Sequence, residues 1–213
     1  KRDSAQEGFV PVLIKADDET LLECLVMNAD PENEADIYEF DLKTVTEYRK
    51  KILSAPVKDG KAVLDELTGQ RKEEAEDDDM DWDEEILGEM EGGYENNRIS
   101  CYWDSDTDMT HPLILAKIPV KNPWEIFAYL PFGNWNECPD TPQLMAAAKY
   151  WFEQYGAVPA AMSHDELEFL LPAPVHKEKA MDAAVELYGF CPDVIDQGTE
   201  DATVGALADV LRQ

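Results

Sequence analysis

Three short stretches hold the side chains best suited to chemistry. The first is the loop 131–139, with Asn134, Trp135, Asn136, Glu137 and Cys138 set between a strand pattern and a capped helix. The second is the polar turn Ser163-His164-Asp165-Glu166, and the third is Cys191-Pro192-Asp193 with Gln197, just beyond Tyr188. A thiol near a helix N-terminus is made more acidic by the dipole, so Cys138 is a candidate nucleophile. With His164 as base, and Asn136 or Gln197 holding a developing oxyanion, the set describes a thiol-dependent hydrolase or transferase. The competing account needs no reaction: Cys138 packs as a small residue, the Trp135 ring plugs the sheet end, and the amides satisfy loop backbone groups.

Metal chemistry fits less well. Cys138, Cys191 and His164, with Asp193 as a fourth, are of the right types for a soft tetrahedral site, yet no two of them have ligand spacing. The run Asp104-Ser105-Asp106-Thr107-Asp108 suggests calcium, but an EF-hand needs glycine sixth and glutamate twelfth, where this chain has Met109 and Leu115. Nor is it the D-x-D-x-T pattern of phosphoryl transfer, because its fifth residue is Asp108. It reads as an exposed acidic turn, and neither a metal nor another cofactor is expected.

The elements that must position these groups follow from periodicity. Residues 9–14 read as a strand, 20–27 are ambiguous with a helical spacing of leucines, and 41–55 form a helix capped by Asp41. A second amphipathic segment follows Gly60. Residues 99–103, 113–120 and 124–130 read as three strands, rich in β-branched and aromatic residues. Thr141 as N-cap, Pro142 at the first position and Gly156 at the end frame a helix with a wide apolar stripe. Residues 158–162 and 167–171 make a hairpin or one bent strand around the His164 turn. Further helices run over 177–188, broken at Gly189, and over 202–211. The expected fold class is α+β: a mixed sheet from the N-terminal and three central strands, with helices packed on it and an acidic, partly mobile insertion. The chain is read as a single domain, 1–213, with N-terminal strand and helices over 1–72, an insertion over 73–97 and a core over 98–213.

Charge constrains partners. Asp and Glu number 47 against 18 Lys and Arg, a formal charge of −29, which opposes unassisted binding to nucleic acid or an anionic membrane. A basic protein fits. Like charges concentrated over 73–91 predict a solvated arm, although Trp82, Ile86, Leu87 and Met90 could dock as one helix face. The four cysteines are widely spaced, so reduced thiols in a cytoplasmic setting are expected. No apolar run is long enough to span a bilayer. The chain does not begin with Met, and it is read as open to trimming at either end.

In order along the chain, Trp135-Asn136-Glu137-Cys138-Pro139, His164-Asp165 with Leu167-Glu168, Tyr188-Gly189-Phe190-Cys191-Pro192-Asp193 and Asp196-Gln197-Gly198 resemble the bacterial domain-of-unknown-function 4253 family. The resemblance covers about 113–211. It implies a bacterial domain, and it brings no assigned activity and no catalytic residues. The leading expectation is therefore a non-enzymatic intracellular protein that binds a protein partner through its acidic surface, most concretely as an immunity or inhibitor protein. Residues Asn134, Trp135, Asn136, Glu137, Tyr188, Asp193 and Gln197 are the candidate binding set. Because each loop carries a Cys-Pro-Asp corner, loops 132–139 and 191–198 are expected to meet and frame a pocket walled by Trp135 and Tyr188.

Overall fold

The computed structural model describes residues 8–30, 40–93, 99, 102–104, 107–134, 138–196 and 203–213. Its elements are β1 (Val10–Lys15), α1 (Glu19–Ala29), α2 (Leu42–Ser54), α3 (Gly60–Asp77), a π-helical turn (Trp82–Leu87), β2 (Trp103–Asp104), β3 (Met109–Thr110), β4 (Leu113–Ile118), a 3-10 helix (Pro123–Ala128), α4 (Thr141–Tyr155), β5 (Val158–Met162), β6 (Leu167–Leu170), α5 (Lys177–Phe190), α6 (Asp193–Asp196) and α7 (Val204–Leu211). The fold is α+β. Internal contacts divide it into two compact units, one of Lys1–Lys58 with Ile99–Leu170, the other of Asp59–Arg98 with Leu171–Gln213.

The first unit holds the mixed sheet, in the order β4-β1-β5-β6. β1 runs antiparallel to β4 from Val10↔Ile118 to Lys15↔Leu113, and parallel to β5 at Leu13↔Ala161. Opposed residues share a face, so Val10, Val12 and Ile118 are buried together on one side. On the other side Leu13, Ala161, Tyr102 and Ile99 pack as a cluster. The Tyr102 hydroxyl accepts the Met162 N–H and reaches the carbonyls of Leu13 and Met162. One side chain thus clasps the two parallel strands.

Two expected elements differ. Residues 124–130 are not a strand, because Asn122 and Glu125 form a reciprocal capping box and Pro123 supplies a helix-compatible φ at the first turn. The resulting 3-10 helix puts Ile126, Phe127 and Ala128 wholly inside. It packs on α2, α4 and β5, so its aromatic and branched content fills a core rather than a sheet. Of the expected 99–103 strand, the described residues hold strand structure at Trp103 alone, within Trp103–Asp104 paired with Met109–Thr110, and residues 100 and 101 lie outside the described residues. The ambiguous 20–27 segment is helical within α1, capped by the Asp18 carboxylate on the Leu21 N–H. α4 begins one residue earlier than expected, with Asp140 as the N-cap in a box with Gln143 and Thr141 inside the helix.

The second unit is helical. α3 packs on α5, and α5 on α7. Gly189 does not break α5: an added Cβ would lie 2.4 Å from Thr68 Oγ1 and 3.0 Å from the Thr68 Cα, so glycine here permits close helix packing. The acidic stretch is built into this unit. α3 continues through Glu73, Glu74 and Glu76 to Asp77, and Asp81 caps the following π-helical turn. Ile86 is buried, and the Trp82 ring lies 6.1 Å from that of Tyr188. An added Cβ at Gly205 would stand 2.1 Å from the Glu89 carbonyl oxygen, so α7 and this backbone meet directly. Gly93 N–H then donates to Asp209 at 2.8 Å. Among the described residues, no helix is long and apolar enough to cross a membrane.

Candidate functional site

The first unit concentrates polar chemistry where β1 and β5 end. Asp18, after β1, has a side chain only 3% exposed. It accepts the Leu21 N–H at 3.1 Å and the His164 N–H at 2.7 Å. His164 Nδ1 lies 3.1 and 3.2 Å from its two carboxylate oxygens. On the other side of the ring, Nε2 stands 3.6 Å from Asp165 Oδ2. Ser163 Oγ donates to Asp165 at 2.7 Å and accepts the Glu166 N–H at 3.0 Å. Burial pushes the Glu166 carboxyl above its usual range, helped by the like charges of Asp165 and Glu168.

Sequence reasoning placed His164 in a turn and missed its partner. In sequence Asp18 reads as part of an acidic turn after the first strand, although an Asp three residues ahead of Leu21, before a leucine-rich helical spacing, is an N-cap signal. Tyr102 was also missed. Nothing in a linear pattern marks a tyrosine whose acceptors lie on two distant strands.

The Cys138 loop sits at the other end of α1. An added Cβ on Gly133 would stand 2.4 Å from the Cys138 Sγ, so the half-buried thiol lies directly against that glycine. The Gly133 carbonyl accepts from Asn28 Nδ2 at 3.3 Å, and the same amide reaches the Cys24 carbonyl at 2.9 Å. Asn134, exposed and at φ 62°, donates its N–H to the Pro139 carbonyl at 3.3 Å, closing the loop neck. Asp18 precedes α1 and Asn28 lies in its last turn. Ten residues at about 1.5 Å each span about 15 Å, so His164 and the Cys138 loop are tied to opposite ends of this helix. Trp135, Asn136, Glu137 and Gln197 lie outside the described residues.

The remaining candidates belong to the second unit. Tyr188 is buried and faces Trp82. Asp193 is exposed at the start of α6. The Cys191 thiol is pushed up, first by burial and then by the Asp193 charge, which disfavours the nucleophilic thiolate. Among the described residues, no group of three or more His, Cys, Asp or Glu side chains could hold a metal ion. A depression lined by Val26, Ala29, Asp30, Asp41, Thr44 and Val45 encloses about 20 Å³, room for about one water molecule. Small-molecule sites run to roughly 300–1,000 Å³.

Residues 114–213 match the model of a family described as Domain of unknown function (DUF4253). The match covers 100 of the 213 residues, the C-terminal half of the chain. No curated protein and no solved structure matches the chain. The DUF4253 region begins inside β4 and takes in β5, β6, His164 and α5 to α7. β1, Asp18, Tyr102 and the acidic stretch all precede it. The carboxylate that holds His164 is therefore supplied from outside the DUF4253 region.

Proposed function

We propose that the chain is a non-enzymatic binding protein that recognises a basic protein through the carboxylates of residues 73–91, in the manner of an immunity or inhibitor protein of the cytoplasm. One observation carries the reading: every Asp and Glu from Glu73 to Glu91 is exposed, although the segment itself is anchored by Ile86, Trp82 and the close approach of Gly205. Charge held on a fixed backbone presents a defined pattern, whereas charge on a loose arm only solubilises. Ordering entropy is already met in the free state, so less is lost on binding. With a formal charge of −29, a basic partner would be steered at rates about 10–10³ above the uncharged case, falling steeply with salt. The same field repels nucleic acid and anionic lipid.

The test is a pull-down from lysate at low and high salt, comparing the native chain with a variant in which Asp77, Asp78, Asp79, Asp81, Asp83 and Glu84 become Asn or Gln. Neutralisation is preferable to deletion, because deletion also removes the buried Ile86. A basic protein held by the native chain at low salt and lost by the variant is the expected result. Equal retention of every partner by both proteins would reduce the acidic segment to a solubilising role.

A further inference from the structure

β4 is an edge strand whose outer side no other strand covers among the described residues. Natural edges are usually blunted by proline, charge or a bulge. β4 has none of these in its first half: Leu113, Ile114 and Leu115 are 39%, 51% and 60% exposed, and its register with β1 is unbroken over all six residues. Successive side chains point to opposite faces, so the strand is open on both faces as well as at its margin. Lys117, the one charge in the strand, has its ammonium 4.8 Å from the centre of the Phe9 ring rather than standing guard over the first half.

The backbone is oriented for pairing. Ala16 N–H donates to the Pro112 carbonyl at 2.9 Å, which makes this a hydrogen-bonded pair one step beyond Lys15↔Leu113. Such pairs alternate along an antiparallel ladder. Leu113, Leu115 and Lys117 therefore turn their N–H and C=O groups away from β1.

We propose that the outer edge of β4 is a docking site for an extended, apolar and basic segment of a protein partner, which adds to the sheet as a further strand. The proposal rests on the basic-partner reading above and names a surface for it. Backbone pairing supplies affinity in this mode, and alternate side chains supply specificity. Apolar residues of the incoming strand meet Leu113 and Leu115. Basic ones answer the acidic turn that leads into β4, where Asp108 is exposed. A second copy of the chain is the poorer occupant, since two bodies each at −29 repel.

The probe is a short fluorescein-labelled peptide of alternating Val and Lys, titrated into the full chain, alongside polylysine as a charge-only probe. Two N-methylated forms of the peptide block the N–H groups of one edge or the other, which requires no change in the protein. One form should lose about tenfold or more in affinity and the other little. Leu115→Pro removes an outward N–H while sparing the β1 ladder, a change edge strands tolerate, and should match that loss; its circular dichroism is compared with native. Neutralising the acidic segment should leave the N-methyl asymmetry intact while reducing salt sensitivity. If both N-methylated forms bind alike and Leu115→Pro binds as native, the edge proposal is overturned, and continued polylysine binding leaves the acidic-surface reading standing. Failure of both probes to bind overturns the two together. A dimer in sedimentation that Leu115→Pro dissociates would give the edge to a second copy and overturn the partner assignment.

Discussion

Replacing Asp18 by Ala is the sharpest test of how the first unit is held together. The carboxylate is 3% exposed and accepts two backbone N–H groups, from Leu21 at 3.1 Å and His164 at 2.7 Å. Loss of a helix cap costs about 1 kcal/mol. Leaving the His164 N–H without its acceptor costs about 1–3 kcal/mol more. The sum, about 2–4 kcal/mol, lowers the melting temperature by roughly 4–16 °C for a chain of this size. Asp18→Asn keeps one acceptor oxygen and should lose about half as much. Native-state hydrogen exchange read at the Leu21 and His164 amides ties the loss to this corner, since both should exchange faster in Asp18→Ala. His164→Ala removes only the imidazole, 35% exposed, and should cost about 1 kcal/mol or less. Should Asp18→Ala melt within a degree of native with both amides still protected, the Asp18 hub carries no stability.

Three further outcomes are expected. Gly189→Ala forces a methyl group against the Thr68 backbone and should destabilise by about 1–3 kcal/mol despite better helix propensity; adding Thr68→Ala should recover part of the loss in urea unfolding. Glu166 has its carboxyl raised by burial, so its contribution is favourable in acid, below the unfolded value, and is lost as pH rises through the folded one. Glu166→Gln should therefore stabilise at neutral pH and be without effect in acid, as read by melting curves across pH. Asp209 is held below the usual carboxylate range by its hydrogen bond from Arg212 and then by the Gly93 N–H, so its contribution is present above the ordinary Asp range and disappears as pH falls through the depressed value. Exchange at the Gly93 amide should quicken over that acid window, and Asp209→Asn should abolish the pH dependence.

The legible parts of this fold are those decided within a few residues. Asp41 caps α2 through contacts two to three positions away, as expected, while the same local caps by Asp59 and Thr203 on α3 and α7 went unread; β1, β4, β5 and β6 announce themselves by apolar runs between turn residues. The 3-10 helix at Pro123–Ala128 was hidden because Trp, Ile and Phe suit strands equally well, and the Asn122–Glu125 box that decides the matter is a single pair of polar residues. Gly189 read as a break because glycine usually ends helices. Its reason for being there is Thr68, more than a hundred positions earlier. In the acidic stretch, both the charge repulsion and the apolar set of Trp82, Ile86, Leu87 and Met90 are visible in sequence, whereas their neighbours, Tyr188 beside Trp82 and Gly205 against Glu89, are not. In the candidate site, His164 was found by its chemistry and Asp18 was not, since their pairing joins residues 146 positions apart.

That pairing bears on what the chain is for. A thiol mechanism needs sulfur and imidazole within about 3–4 Å, yet Cys138 is fixed to Gly133 at one end of α1 and His164 to Asp18 at the other. Bringing them together means taking His164 off Asp18, a contact that joins the end of β5 to the start of α1. The imidazole, meanwhile, stands between two carboxylates, one buried and one exposed. The Asp18–His164 cluster of the first unit holds strands and a helix together. What it leaves open to solvent is the rim of that sheet, where β4 offers backbone donors, acceptors and three exposed apolar side chains. Stability at the Asp18 corner and recognition at the β4 edge are consequently two properties of one sheet, since β1 carries both: it ends in the hub and forms the inner partner of the edge strand.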